Sequence, residues 1–305
     1  PIVGLPIRGL QRKLSLSTLA FPFRVAYSLW KAYKILKEFR PDMVIGTGGY
    51  ASAPTLKAAQ WLGIPYFIQE QNSYAGITNK WVARGAQGLF VAYAHMERYF
   101  PHTPLYLTGN PIRKDLVELT DKAPQAFASL GLDPQVFTLL VIGGSLGARK
   151  INELVKTHLP LFQEKKVQVL WQCGAYYYPE YRSYESDTVR VVPFVEDMKA
   201  AYSVADVIIS RAGASSVSEL AVVGKPVIFV PSPNVAEDHQ TKNAQAIADL
   251  KAALLLKETA IAMDFAPMFA SLLEDASLRQ TLSQNFKQLA RPRATEEIVD
   301  LMIKS

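Results

Sequence analysis

At 305 residues the chain exceeds what one hydrophobic core usually serves, so two domains are expected. Hydrophobic residues at 49% and charged residues at 20% exclude a disordered or fibrous chain, and no apolar run reaches the roughly 18 residues that span a bilayer. The net charge is +6; the single cysteine, Cys173, excludes a disulfide framework and suits a reducing compartment, and the histidines His95, His102, His158 and His239 offer no metal-ligand spacing.

The chain opens at Pro1 without a methionine, and PIVGLPIRGL reads as the continuation of something longer, so a fragment lacking its N-terminus is expected. The first forty residues gather Arg8, Arg12, Lys13, Arg24, Lys31, Lys34, Lys37 and Arg40 against Glu38 alone. Such an excess suits nucleic acid, anionic lipid or a phosphorylated substrate. Segment 10–40 also interleaves Leu14, Leu16, Leu19, Phe21, Phe23, Tyr27 and Trp30 with its cations, a mixture suited to the headgroup boundary of an anionic membrane. Leu29, Trp30, Tyr33 and Leu36 fit equally well the core stripe of an ordinary helix. Phe21 and Phe23, at the Pro22 break, with Arg12, Lys13 and Arg24, are therefore the residues expected at a membrane.

From there short β-branched runs alternate with helical spacing. DMVIGTGGY runs into a glycine turn, and KAAQWLGIPYFIQEQN is helix then strand; LLVIGGSLGARK, VQVLWQCG, DVIISRAGASS and PVIFVPS follow, each leading into a longer helical stretch. This alternation predicts parallel sheets covered by helices, an α/β class of two doubly wound domains with a cleft between them. The polar stretch DLVELTDKAPQAFASLGLDP, residues 115–134, is the best boundary, giving an N-terminal domain over 1–118, joined by a C-terminal helix within 290–305, and a second domain over 119–289.

Three strands end in glycine turns: Gly46-Thr47-Gly48-Gly49-Tyr50, Gly143 to Arg149, and Arg211 to Ser216. At the carboxyl end of a parallel strand such a turn lets backbone approach a ligand, and the N–H groups of the next helix favour an anion. Any one of them also makes sense as a tight bend. Three in two domains point to a phosphate-bearing ligand, and none has Walker or dinucleotide spacing. A nucleoside diphosphate or nucleotide sugar fits better than ATP or NAD.

The ordered set GTGGYASAP, EQNSYAGITNKW, GNPIR, GGSLGAR, VVPFVEDM, RAGASSVSE and DHQTKNA resembles the MurG family, undecaprenyldiphospho-muramoylpentapeptide β-N-acetylglucosaminyltransferases. The resemblance runs from about Gly9 to the C-terminus. It implies an inverting, metal-independent GT-B enzyme with no cofactor, which moves N-acetylglucosamine from UDP-N-acetylglucosamine to lipid I, making lipid II for peptidoglycan. The implied setting is peripheral, on the cytoplasmic face of the bacterial inner membrane, with anionic lipid, other cell-wall enzymes as possible company and no nucleic acid. The final helix, Ala294 to Lys304, is expected to cross back onto the N-terminal domain.

Carried over by motif, the donor residues are Asn72, Arg113, Ser145, Val195, the run Ala214, Ser215, Ser216, Val217, Ser218 and Glu219, and Gln240. Val195 would hold uracil through its backbone, Glu219 would accept from ribose hydroxyls and Gln240 would bond the sugar. Gly48, Gly49 and Tyr50 would seat the acceptor's diphosphate. Plainer roles exist: Ser216 to Glu219 is a capping box, Ser145 fits an N-cap, and Arg113 and Gln240 fit a solvated surface. The family carries a first glycine-rich loop ending in histidine, one proposed base, which this chain lacks; before EQN it has Gln69 where relatives often have histidine. Glu70 remains as an acid/base candidate, or as a buried structural carboxylate. Cys173 and Tyr176-Tyr177-Tyr178 read as packing and loop surface. Competing readings are another GT-B enzyme using a UDP-sugar, such as a lipid glycosyltransferase, a UDP-N-acetylglucosamine epimerase, and an inactive membrane scaffold for cell-wall enzymes.

Overall fold

The structure is a computed structural model that describes residues 2–7 and 21–305. Arg12 and Lys13, with Leu14, Leu16 and Leu19, lie outside the described residues. The chain forms two compact α/β units, Pro1–Asn110 with Arg293–Ser305, and Pro111–Pro292.

The first unit holds four parallel strands in spatial order β1 (Val44–Gly46), β2 (Tyr66–Glu70), β3 (Gly88–Val91) and β4 (Leu105–Leu107). Side chains alternate across a strand, and both faces here are apolar. Tyr66, Ile68, Leu89 and Val91 join one buried cluster with Leu56 and Ala59. Phe67 and Phe90 turn the other way, stack at 5.8 Å, and pack against Ile298, Leu301 and Met302 of the C-terminal helix Ala294–Lys304. That helix therefore covers the second face of the sheet in its own unit.

Helix α1 (Phe21–Phe39) lies against α2 (Ser52–Leu62), and α3 (Ile77–Val82) follows β2. Ser28, Ala32 and Leu36 form the buried stripe of α1, spaced by four as one helix face requires. Leu29 and Tyr33 are half-buried beside it, whereas Trp30 is 53% exposed and belongs to the outer face. Pro22 does not break the helix; it sits in the first turn, where its missing N–H has no intrahelical partner to lose. Helix α2 stops at Gly63, whose left-handed backbone (φ 69°) returns its N–H to Ala59 and Gln60 carbonyls.

The second unit is a six-stranded parallel sheet built from β5 (Phe137–Ile142), β6 (Val167–Gln172), β7 (Val189–Val192), β8 (Val207–Ser210), β9 (Val227–Phe229) and β10 (Leu254–Leu255). Its helices are α4 (Pro124–Leu130), α5 (Arg149–Glu164), α6 (Tyr178–Tyr181), α7 (Met198–Val204), α8 (Ala214–Val223), α9 (His239–Ala248), α10 (Ile261–Glu274) and α11 (Ala276–Gln288). The spatial order β10-β9-β8-β5-β6-β7 is the doubly wound one. The chain winds outward from β5, returns to β8 on its other side and winds outward again, so a switch point lies between β5 and β8. Central strands are fully buried, with Trp171, Phe162, Phe265 and Phe269 filling one side.

The division falls between Asn110 and Pro111 rather than at 118/119. The polar stretch that suggested a linker is stitched to the second unit: Lys122 Nζ donates to Val204 O and Asp206 Oδ2, Ser203 Oγ donates to Thr120 O, and Lys225 pairs with Asp121.

Candidate functional site

In the second unit the register Ile142↔Ser210 places the turns after β5 and β8 side by side at the switch point. The first of them is a backbone-only structure. A Cβ on Gly147 would run into the Cys173 carbonyl, and one on Gly143 would come within 2.8 Å of Ala148 N, so both positions need glycine. Gly144 (φ 85°) and Gly147 (φ 78°) are left-handed, which glycine tolerates without strain. Ser145 and Leu146 are exposed at its tip. Ser145 does not cap the following helix, because the N-cap of α5 is Ala148, which has no capping side chain.

Gln172, 3% exposed at the end of β6, fixes this turn. Its Oε1 accepts from Gly143 N–H at 3.0 Å, while Nε2 donates to Gly144 O at 2.9 Å and to Pro193 O at 3.2 Å. One amide thus ties the glycine turn to the segment after β7 that carries Val195. Asn152 plays the same part below it, donating to Cys173 O and accepting from the Trp171 indole, both at 2.9 Å. Neither residue was singled out from sequence; the available signal was a lone amide closing an apolar run, in VLWQCG for the first.

The turn after β8 leads into α8, whose N-cap is Gly213. This places Ser216 in the third helical position and removes the capping-box reading, since Glu219 lies a turn too far along to reach the helix start. Glu219 instead accepts from Arg113 Nε at 3.2 Å and Nη2 at 3.4 Å. Beneath it Tyr202 is buried; burial, then the Glu219 charge, push its phenol above the ordinary range, with Arg113 opposing. Arg211, at the start of the turn, is committed to the fold: it pairs with Glu258 at 2.7 Å and donates to Val230 O at 2.8 Å.

Two further candidates converge on the same carboxyl edge. Val195 has a buried side chain in irregular backbone between β7 and α7. Gln240 opens α9, and its Oε1 accepts from Ser232 N–H at 2.9 Å, which leaves the amide's NH2 as the end able to serve a ligand. One turn on, Asn243 donates to Ala212 O at 3.2 Å and holds α9 to the third glycine turn. Just before α9, Glu237 and Asp238 are both left-handed (φ 56° and 52°), a costly pair for non-glycine residues of the kind found where a site dictates the backbone.

In the first unit, a cavity of about 160 Å³ joins Thr47, Gly48 and Gly49 to Glu70, Asn72 and Asn79. Glu70, 2% exposed, ends β2. Its Oε1 accepts from Asn72 N–H at 3.1 Å; its Oε2 accepts from Gly76 N–H at 3.0 Å and from Asn79 Nδ2 at 2.8 Å. With both oxygens engaged, Glu70 braces the 71–76 turn. Asn110, from GNPIR, accepts from Gln69 Nε2 and donates to Gln71 O, so two sequence motifs meet in one hydrogen-bonded network. Asn72, expected with the donor residues, belongs to this unit beside Gly48 and Gly49, whereas Arg113, Ser145, Val195, Ala214–Glu219 and Gln240 share the other. Tyr50 is 53% exposed.

On α1, Phe23 is 79% exposed, Phe21 and Arg24 are half-buried, and Lys34 Nζ lies 4.7 Å from the Trp30 ring centroid. No helix among the described residues is long and apolar enough to cross a membrane. Cys173 is buried, and burial pushes its thiol up to about 11.

Two parallel sheets, a four-stranded one that winds in one direction among the described residues, where a doubly wound sheet was expected, and a six-stranded doubly wound one with paired glycine turns at its switch point, define a glycosyltransferase of the two-domain GT-B class. Residues 138–298 match the glycosyltransferase family 28 C-terminal domain, and residues 1–91 match its N-terminal domain. The chain is 50% identical over 304 residues to a Flavobacterium psychrophilum protein named UDP-N-acetylglucosamine--N-acetylmuramyl-(pentapeptide) pyrophosphoryl-undecaprenol N-acetylglucosamine transferase, covering 99% of this chain and 83% of that protein. A Cytophaga hutchinsonii protein of the same name is 50% identical over 98% of this chain and 81% of its own length. The crystal structure of Acinetobacter baumannii MurG superposes with a TM-score of 0.79 at 31% identity, covering 97% of this chain and 84% of that one. The chain belongs to the MurG family. A Neisseria meningitidis UDP-GlcNAc 2-epimerase bound to UDP-GlcNAc, at 16% identity and TM-score 0.69 over 97% of this chain and 84% of that one, shares the fold alone.

Proposed function

We infer that the chain is an N-acetylglucosaminyltransferase that moves the sugar from UDP-N-acetylglucosamine to lipid I and releases UDP and lipid II. The observation that carries this is half-identity, over nearly the whole chain, to proteins bearing that transferase name. The acceptor hydroxyl oxygen attacks the anomeric carbon, the bond from that carbon to the UDP oxygen breaks with inversion, and the hydroxyl proton passes to a base. The second unit supplies the donor edge: backbone N–H groups of the 143–148 turn and the first turn of α8 receive the departing diphosphate. Glu219 takes the ribose hydroxyls, Val195 the uracil and the Gln240 NH2 a sugar oxygen. Arg113 holds the Glu219 carboxylate in place for that contact.

The acceptor side belongs to the first unit, at Gly48, Gly49 and Tyr50 and the pocket beside them. The exposed face of α1, with Phe23, Arg24, Tyr27, Trp30 and Lys34, suits an anionic lipid surface, and with a polyprenyl-linked acceptor it supports peripheral action on the cytoplasmic face of the inner membrane. The test is transfer of radiolabelled N-acetylglucosamine from its UDP donor to a lipid I analogue by the full-length protein. Incorporation that Glu219→Ala and Gln240→Ala abolish is the expected result. UDP-N-acetylglucosamine binding without incorporation would remove the lipid I assignment.

A further inference from the structure

A cavity of about 430 Å³ opens in the second unit at the opposite edge of the sheet from the glycine turns. Asp206 and Lys225 line it, the first directly before β8 and the second two residues before β9, so it lies where these strands begin. At about 3.3 Å of rise per residue, Arg211 at the far end of β8 is roughly 17 Å from Asp206. A ligand in this cavity is therefore a different molecule from one held at the glycine turns.

The charges around the cavity do not balance. Four cations, Lys122, Lys225, Arg279 and Lys287, face two carboxylates, Asp121 and Asp206. Lys122 pairs with Asp206 at 2.7 Å and Lys225 with Asp121. Arg279 and Lys287, on one face of α11, have no carboxylate partner among the described residues. Arg279 donates from Nη1 to the Leu272 and Leu273 carbonyls, which leaves its charge uncancelled. Lys287 lies flat across Gly224, where a Cβ would run into its aliphatic stem, so its side chain is held at the cavity wall. Burial is the main force lowering the pKa of Lys225, whose side chain is 11% exposed; Asp121 and Asp206 oppose it and Lys122 adds to it. Another anion beside these ammonium groups would relieve both the repulsion and the desolvation.

The excess of two positive charges matches a dianion. The cations come from three separate segments, so the best match is a compact one with oxygens pointing in several directions. The volume is roughly fourteen times the ~30 Å³ share of a water molecule, which admits a phosphate together with a small organic group. We propose that this amino-edge cavity is a second anion site, which binds a phosphate dianion, free or carried on a small ester, through Lys287, Arg279 and Lys225.

The test is NMR on the full-length protein labelled with ¹⁵N-glycine and ¹⁵N-lysine, following the amides of Gly224 and Lys225, with Gly143, Gly144 and Gly147 reporting on the other edge. Inorganic phosphate, glycerol 3-phosphate and succinate are titrated at constant ionic strength. Phosphate or its ester is expected to move Gly224 and Lys225 saturably, the tighter of the two naming the source, with succinate at least tenfold weaker. Lys287→Gln is expected to weaken the tighter probe at least fivefold, and Lys287→Arg to restore it. Gly224 and Lys225 signals that stay still with both phosphates overturn the proposal, as does movement confined to the 143–147 glycines. Succinate binding as tightly as phosphate, or an affinity unchanged in Lys287→Gln, overturns it too.

Discussion

Gln172→Met tests whether one buried amide assembles the donor edge. Methionine matches glutamine in length and fills the same space, so packing is preserved while three hydrogen bonds vanish: those to Gly143 N–H, Gly144 O and Pro193 O. Gly143 is buried and its N–H meets the full cost of an unpaired donor; Gly144 is exposed and its carbonyl can turn to water. With about 1–3 kcal/mol for the buried donor and less for the two carbonyls, the expected loss is about 2–4 kcal/mol. For a unit of this size that lowers Tm by about 4–16 °C, at roughly 2–4 °C per kcal/mol. The alternative is for the turn to swing away and solvate itself, which spares stability and spends donor affinity instead. Differential scanning calorimetry and isothermal titration with UDP, run on the same variant, read both outcomes. Gln172→Glu separates them further, since it keeps the acceptor for Gly143 N–H but sets a negative charge beside the expected diphosphate; at least a tenfold loss of UDP affinity with a smaller drop in Tm is expected. A Gln172→Met protein that melts with the parent and binds UDP as tightly would refute the reasoning.

Gly147→Ala is expected to abolish UDP binding or the fold of the second unit, because its Cβ meets the Cys173 carbonyl, whereas Gly144→Ala, with open space but φ 85°, should lose only about 1–2 kcal/mol in urea melts. The Cys173 thiol, raised to about 11 by burial, should stay unreacted with iodoacetamide at pH 8 until denaturant is added; prompt native labelling would contradict its placement. By linkage, a folded pKa above the ordinary 9.0 contributes stability that is whole below pH 9 and fades as pH rises through 11, so alkaline melts should steepen in that window and Cys173→Ala should flatten them. Phe23→Ser with Arg24→Glu, both free of the core stripe of α1, should weaken binding to phosphatidylglycerol vesicles about tenfold or more while leaving Tm unchanged.

What the sequence made legible was whatever one residue type can signal by itself. A glycine directly after a β-branched run marks a turn at a strand end, and the strands Met43–Ile45, Leu139–Ile142 and Val207–Ser210 lie within two residues of those observed. The partners that hold those turns were not legible, because Gln172, Asn152 and Asn243 reach groups distant along the chain and no local pattern marks them. Glu219 was obscured by a coincidence of spacing: Ser-x-x-Glu fits a capping box, but α8 begins earlier, at Gly213, which needs no side chain to cap. Trp30 illustrates the limit of periodicity, since on a helix with apolar residues on several sides only tertiary packing decides which side is inner. The boundary shifted for a related reason. Polarity marks what faces water and not what is unattached, and Lys122, Ser203 and Asp206 anchor the polar 115–134 stretch through their hydrogen bonds.

In the second unit, glycine turns and the start of α8 offer backbone donors, and the nearby carboxylate of Glu219 is tied by Arg113. Negative charge grows on a departing diphosphate, and fixed N–H groups stabilise it without reorganising. If this edge receives the donor, UDP and pyrophosphate should both perturb the amides of residues 143–148 and the first turn of α8. A spectrum in which those amides stay still while UDP moves others would overturn the donor reading of this edge.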